Sequence, residues 1–180
     1  MDHYSVNSLK KIKNEVYSKK KNCEVIAVSK TFDLEKIKPL IDHGHRHFGE
    51  NKVQEAVEKW SSIKIELRDI KLHMIGKLQS NKVKHAVKIF DYIHTLDSIK
   101  LAKKIHDEQI KIQKKIKIFI QINLGNEEQK SGINPLELDE LYNFSTKNLN
   151  LDVVGLMCIP PISLKPREAF NTMRELNNKI

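Results

Sequence analysis

Along the chain, short apolar runs alternate with longer segments whose apolar residues recur every three or four positions. The short runs predict β-strands, and the longer segments predict amphipathic helices. Six strands are predicted, over residues 24–30, 45–48, 72–75, 92–96, 116–124 and 151–157. Helices are predicted before the first strand and after each strand, over residues 3–19, 33–44, 53–60, 80–90 and 98–111, from 135, and from 166 to the end.

Regular alternation of strand and helix is typical of parallel α/β proteins, of which a doubly wound sheet and a (β/α)8 barrel both fit. The glycine-rich turn of dinucleotide-binding folds is missing after the first strand, which favours the barrel. A closed barrel needs eight strands, so six units leave it two short. We therefore expect an α/β fold of the (β/α)8 TIM-barrel type with about six β/α units.

The first strand carries the most suggestive chemistry. Its four consecutive apolar residues, Val25 to Val28, predict a strand that is buried on both faces. The strand ends at Ser29 and Lys30, at the rim where α/β proteins bind ligands. At an apolar mouth, desolvation would lower the pKa of the Lys30 amine and prepare it to form a Schiff base. The alternative is a lysine that buries only its stem and leaves its ammonium in water.

Composition narrows the class of protein. Hydrophobic residues make up 39% of the chain and charged residues 31%, and no apolar run approaches the roughly 20 residues of a membrane helix. The two cysteines, Cys23 and Cys158, form no metal-type cluster, which favours reduced thiols in the cytoplasm. The net charge of +9 raises the possibility of a nucleic-acid partner. Arginines are few among the basic residues, however, so we expect a solvated lysine surface and no nucleic acid.

The predicted strand ends carry one amine and mainly neutral groups: Lys30, Asn51, Gly76, Thr95, Asn123 and Met157. No Ser-His-Asp order and no close carboxylate pair stands out there, which disfavours hydrolases and glycosidases. His43, His45 and His47 alternate and are a weak candidate for a metal site, but a fourth ligand is not evident. His73 is either a packed core histidine or a residue near Lys30, and Lys130 is either a second accessible amine or a solvated loop lysine.

Five motifs occur in order along the chain. They are Ala27-Val28-Ser29-Lys30-Thr31, Phe48-Gly49-Glu50-Asn51 with Val53-Gln54-Glu55, His73-Met74-Ile75-Gly76 with Leu78-Gln79-Ser80-Asn81-Lys82, Asn126-Glu127-Glu128-Gln129-Lys130-Ser131-Gly132, and Gly155-Leu156-Met157-Cys158-Ile159-Pro160-Pro161. Together they closely resemble the pyridoxal phosphate homeostasis proteins, single-domain relatives of the alanine racemase N-terminal barrel. The resemblance runs from about residue 5 to residue 180.

This resemblance implies a barrel that holds pyridoxal 5'-phosphate as a Schiff base on Lys30, without established catalytic turnover. Such proteins are thought to store the cofactor or hand it over, which implies apo-enzymes as possible partners. We expect Lys30, Asn51, His73 and Met157 to contact the cofactor, and we expect neither a catalytic residue nor a metal ligand. A cytoplasmic monomer is the expected state.

The family continues past the last helix into strands that supply its phosphate cradle. We therefore expect residues 1–180 to form a single domain of a truncated relative, without strands seven and eight, that is less stable and binds the phosphate poorly. The main alternative is a pyridoxal-phosphate-dependent racemase or lyase of the same fold, which would need a second base facing the cofactor ring. A third reading, a module for RNA or acidic partners, predicts binding that falls steeply with salt.

Overall fold

The computed structural model describes residues 3–125 and 131–180. The helices of the described chain are α1 (Tyr4–Lys19), α2 (Leu34–Asp42), α3 (Val53–Glu66), α4 (Val83–Ile89), α5 (Ile99–Ile112), α6 (Leu138–Asn143) and α7 (Pro166–Asn177). The strands are β1 (Ala27–Val28), β2 (His47–Glu50), β3 (Lys71–Met74), β4 (Tyr92–Leu96), β5 (Lys117–Gln121) and β6 (Asp152–Met157). Single 3₁₀ turns precede α4 and α6, and a π-helical turn follows α6.

The six described strands form one parallel sheet whose spatial order, β1 to β6, is the order of the chain. Crossovers between parallel strands are right-handed, so strands that are always added on the same side place their helices on one face. A doubly wound sheet reverses its strand order, and this sheet does not. The structure therefore confirms the TIM-barrel type over the doubly wound alternative, with six β/α units in the described residues.

The helix-covered face of the sheet carries the main apolar core. Phe48 on β2 packs against Trp60 on α3 with ring centroids 4.8 Å apart, and both side chains are fully buried. Further fully buried side chains continue the layer across the sheet: Leu72, Met74, Ile93, Ile118 and Ile120. Since strand side chains alternate between faces, the residues between these positions point to the opposite, inner face of the curved sheet.

The prediction that the first strand is buried on both faces was wrong. Regular pairing is limited to Ala27 and Val28, and 48% of Val28 is exposed. The physical reason is position, because among the described strands β1 pairs with β2 alone. An apolar run of four residues cannot by itself distinguish a central strand from one at the edge of the sheet.

Helix ends agree with the sequence signals at several positions. Ser98 caps α5, since its side chain accepts a hydrogen bond from the Leu101 N–H at 3.2 Å. Asp33 occupies the predicted cap position of α2, but its side chain makes no capping bond there. Gly44 follows α2 with a φ of +86°, the left-handed conformation that favours glycine at helix ends.

The second strand lies later than predicted, at His47–Glu50 instead of 45–48. His45 is turned away from the sheet ladder, and its Nε2 lies 2.8 Å from the backbone oxygen of His47. The other strands lie within a few residues of their predictions. Among the described helices, none combines the length and apolar character needed to cross a bilayer.

Candidate functional site

A cavity of about 500 Å³ opens at the carboxyl ends of the strands. Its described lining comes from the ends of β1, β2, β3, β5 and β6, which converge there because all the strands are parallel. The lining residues are Val28, Lys30, Asn51, Ile75, Gly76, Lys77, Gln121, Ile122, Asn123, Ser131, Met157 and Ile159. Of the six strand-end residues singled out in the sequence, all but Thr95 line this cavity.

Lys30 stands at the mouth of the cavity and is exposed. Of the two alternatives for this lysine, the exposed side chain agrees with a stem at the apolar rim and an ammonium in water. Ser29 before it is buried, and Thr31 after it has a φ of +66°. This left-handed conformation is uncommon for a β-branched residue and turns the chain immediately after the lysine.

Asn51 and Gly76 meet in close backbone contact at the cavity wall. A Cβ atom at Gly76 would collide with the backbone oxygen of Asn51 and lie 2.8 Å from the Asn51 Cα. The hydroxyl of Thr95 donates to the Gly76 backbone oxygen at 3.0 Å, which supports the turn from behind. Glycine is thus required at position 76 by space, and the contact fixes the Asn51 backbone beside Lys30.

The interior wall of the cavity is mainly apolar, with one unsatisfied polar atom. Ile75, Ile122 and Met157 supply apolar surface suited to a planar ring. Gln121 is 5% exposed, and its amide nitrogen donates to the Ser131 backbone oxygen at 3.0 Å. Its Oε1 is buried and has no hydrogen-bond partner in the described structure, so it is an acceptor available to a ligand.

His73 lies away from the cavity, one layer deeper on the inner face of the sheet. It pairs with Gly49 across the β2–β3 ladder, two residues before Ile75, which lines the cavity. Two residues along a strand correspond to about 6.6 Å. Of the four predicted cofactor contacts, the structure thus brings together Lys30, Asn51 and Met157, whereas His73 is absent from the described lining.

His73 belongs to a row of three hydrogen-bonded imidazoles that crosses β2, β3 and β4. The His73 Nε2 lies 3.0 Å from the His47 Nδ1, and its Nδ1 lies 2.9 Å from the His94 Nε2. Tyr92 stacks on His73, and Phe119 stacks on His94. Burial, together with the neighbouring His94, His47 and Lys64, lowers the pKa of His73 to about 3. Burial alone lowers the pKa of His94 to about 4.

The three alternating histidines do not converge on one point. His43 ends α2, whereas His45 is buried against Phe48 and bonded to the backbone of residue 47. Burial lowers the pKa of His45 to about 4, with Lys13 acting in the same direction. Within residues 3–125 and 131–180, no group of three metal-ligating side chains is placed to hold an ion. Lys130 lies outside the described residues.

Two polar residues of the described lining, Gln121 and Lys77, belong neither to the predicted strand ends nor to the five motifs. Gln121 interrupts an apolar strand, and its alternation with the buried Ile120 and Ile122 could have placed it on the inner face. Lys77 follows Gly76 in the loop after β3, where apolar periodicity carries no signal. Lys77 and Lys30 are the two cations among the described lining residues.

The sequence profile of the alanine racemase N-terminal domain matches residues 7–179. A pyridoxal phosphate homeostasis protein of Aquifex aeolicus is 36% identical over 163 residues, covering 88% of this chain and 71% of the relative. One from Escherichia coli is 37% identical over 153 residues, covering 84% of this chain and 65% of the relative. The chain thus spans about two thirds of the length of these two relatives.

Solved structures agree with the profile. PipY of Synechococcus elongatus, solved with pyridoxal phosphate bound, superposes with a TM-score of 0.79 at 31% identity, covering 93% of this chain and 81% of PipY. An alanine racemase of Clostridium difficile superposes with a TM-score of 0.71 at 15% identity, covering 95% of this chain and 45% of the racemase, which shows the shared fold alone. The chain therefore belongs to the alanine racemase N-terminal domain family, among the pyridoxal phosphate homeostasis proteins.

Proposed function

We propose that this protein binds pyridoxal 5'-phosphate through Lys30 and serves the homeostasis of that cofactor inside the cell. The observation that carries the proposal is an exposed lysine at the mouth of an apolar cavity, at the carboxyl ends of parallel strands. The relatives' name and the ligand of PipY give the cofactor's identity.

The residues present fit this cofactor. The Lys30 amine would form a C=N bond to the aldehyde carbon of the cofactor and release one water molecule. Ile75 and Met157 provide apolar surface for the ring, and the unpartnered Gln121 Oε1 can accept a hydrogen bond from it. The bound group supplies an electrophilic carbon that another amine can take over, which suits a carrier.

Retention of the phosphate is proposed to be weak. Lys77 is the single described lining cation that remains once Lys30 has reacted with the aldehyde. A dianionic phosphate is usually held by several backbone N–H groups and cations together. The consequence is a site that captures the aldehyde covalently and releases the cofactor readily to apo-enzymes, which we propose as its acceptors.

We propose a carrier without catalytic turnover, acting as a monomer in the cytoplasm. The free thiols of Cys23 and Cys158 are compatible with a reducing compartment. The racemase or lyase alternative rests on fold similarity alone. An amino-acid racemisation assay with the Lys30→Ala variant as control separates the two, since turnover that depends on Lys30 would favour the enzyme.

The decisive experiment is an absorbance titration with pyridoxal phosphate, followed by borohydride reduction and mass mapping of the modified lysine. The expected result is a Schiff-base band that is lost in Lys30→Ala and retained in Lys77→Met, with the reduced adduct on Lys30. Lys77 is the matched control because it is the other amine among the described lining residues. An adduct on Lys77, or scattered labelling of surface lysines, would refute the assignment.

A further inference from the structure

Directly behind Lys30, a fully buried carboxylate gathers three hydrogen-bond donors on one oxygen. The Glu50 Oε1 accepts from the Ser29 hydroxyl at 2.7 Å, from the Lys59 ammonium at 2.9 Å and from the Trp60 indole N–H at 2.9 Å. Glu50 is 0% exposed, and the Lys59 side chain is 13% exposed. The donors come from two elements, the end of β1 and helix α3, so the carboxylate ties them together.

The cluster and the cavity lie on opposite faces of the sheet, because successive side chains of a strand point to opposite faces. Ser29 and Glu50 face the helices, whereas their sequence neighbours Lys30 and Asn51 line the cavity. The ladder continues from β1 into this region, because the Ser29 N–H donates to the Gly49 backbone oxygen at 2.9 Å. A change at Glu50 can therefore reach Lys30 through Ser29, which the carboxylate contacts directly.

Every polar group of Ser29 is bonded. Its N–H and hydroxyl donate as described, and its backbone oxygen accepts from the Lys59 ammonium at 2.8 Å. Lys30 follows immediately, beyond the last ladder pair of β1, and Thr31 then takes a left-handed φ of +66°. The lysine is thus held between a clamped residue and a strained one, and not by strand pairing.

Stability alone does not account for this cluster. A buried ion pair often contributes no more to folding than apolar residues of the same volume. The second carboxylate oxygen, Oε2, is buried without a partner in the described structure. Its lost hydration adds an unfavourable contribution to the free energy of folding. Such an arrangement is better explained by the geometry that it imposes on Ser29.

We propose that Glu50 is a positioning residue, which with Lys59 clamps Ser29 and so fixes the direction in which the Lys30 amine enters the cavity. This inference rests on the proposed role of Lys30 as cofactor anchor. Misplacing a reacting group by about 1 Å can slow its reaction by up to about a hundredfold. Loosening the clamp is therefore expected to weaken adduct formation on Lys30 by about tenfold without changing its site.

The test compares Glu50→Gln with wild type, using pyridoxal and pyridoxal phosphate as probes. Pyridoxal lacks the phosphate, so its adduct reports on the Lys30 amine and the ring contacts without any phosphate contribution. We expect the rate constant for formation of the reducible Lys30 adduct to fall about tenfold with both probes, with a changed pH profile of adduct formation. The folded fraction is followed in parallel by far-UV circular dichroism, because the Trp60 indole itself bonds to Glu50 and its fluorescence would change with the substitution.

The matched control is Glu108→Gln on α5. Glu108 is also buried, at 4% exposed, and is paired with two lysines, Lys104 and Lys111, but no residue of α5 is among the described lining of the cavity. Its adducts should equal those of wild type. If Glu50→Gln fails to fold, Ser29→Ala removes one link of the clamp while leaving the Glu50–Lys59 pair, and a loss of about threefold is expected.

The outcomes separate the two proposals. An adduct on Lys30 in wild type that is unchanged in folded Glu50→Gln and in Ser29→Ala overturns the positioning role and leaves the proposed function standing. Equal losses in Glu50→Gln and Glu108→Gln also overturn it, because they would reflect general destabilisation. If wild type forms no adduct on Lys30, the proposed function fails, and the positioning role fails with it.

Discussion

Acidification should destabilise the fold through the imidazole row on the inner face of the sheet. His94 is 8% exposed, and burial lowers its pKa from 6.5 to about 4. The unfolded chain therefore binds a proton at His94 well before the folded protein does. Stability contributed by the neutral imidazole is fully present above pH 6.5, is lost as the pH falls toward the folded value of about 4, and does not change further below it.

The magnitude follows from these two pKa values. Each pH unit between them costs about 1.4 kcal/mol of unfolding free energy, because the unfolded state binds nearly one proton more than the folded state. Between pH 7 and pH 5, His94 alone accounts for a loss of about 2 kcal/mol. That loss corresponds to a shift of about 1 M in a urea midpoint.

The assay is urea unfolding at several pH values between 7 and 5, followed by the fluorescence of Trp60, the single tryptophan, which is fully buried. The perturbation is His94→Gln, whose amide can still bond to His73 but does not titrate. We expect the loss between pH 7 and pH 5 to be about 2 kcal/mol smaller than in wild type. His85→Gln, at an exposed position on α4, is the control. Equal pH dependence in wild type and His94→Gln would refute the reasoning.

Three further changes test other parts of the structure. Gly76→Ala forces a Cβ into the Asn51 backbone and should cost about 2 kcal/mol in urea unfolding; a loss below 0.5 kcal/mol would contradict the crowding. Thr31→Asn should raise stability by about 0.5 to 1 kcal/mol, because asparagine tolerates the left-handed φ better; a lower melting temperature would count against strain. Lys64→Met leaves the Asp91 carboxylate, which is one-fifth exposed, without its cation and should lower the free energy of unfolding by about 2 kcal/mol. Unchanged stability of this variant would show that the ion pair is dispensable.

Much of the fold was predictable because its signals are local. Apolar runs bounded by polar residues marked all six strands, and Ser98 and Gly44 marked helix ends through capping chemistry. The half-exposed state of Val28 was not predictable, since it depends on how many neighbours the strand has. That number is a property of the whole sheet and not of the apolar run.

Part of the candidate site was also predictable from the sequence. Lys30, Asn51 and Met157 could be placed in one cavity because parallel strands bring their carboxyl ends together. The depth of His73 below the cavity could not be predicted, because it depends on the register between strands. That register places His73 opposite Gly49 and below the cavity. Glu50 escaped notice because a glutamate in a short polar motif looks solvated, and only its contacts with Lys59 and Trp60 reveal it as buried.

The sequential order of the sheet has a consequence for how the protein is made. Because each strand pairs with the strand synthesised immediately before it, every new β/α unit meets its neighbour as it leaves the ribosome. The exception is β1, which has to wait for β2 and is then held by a single ladder. Backbone amide exchange should therefore be faster around residues 27–30 than in the central strands β4 and β5, so Lys30 would sit on a part of the sheet that opens early.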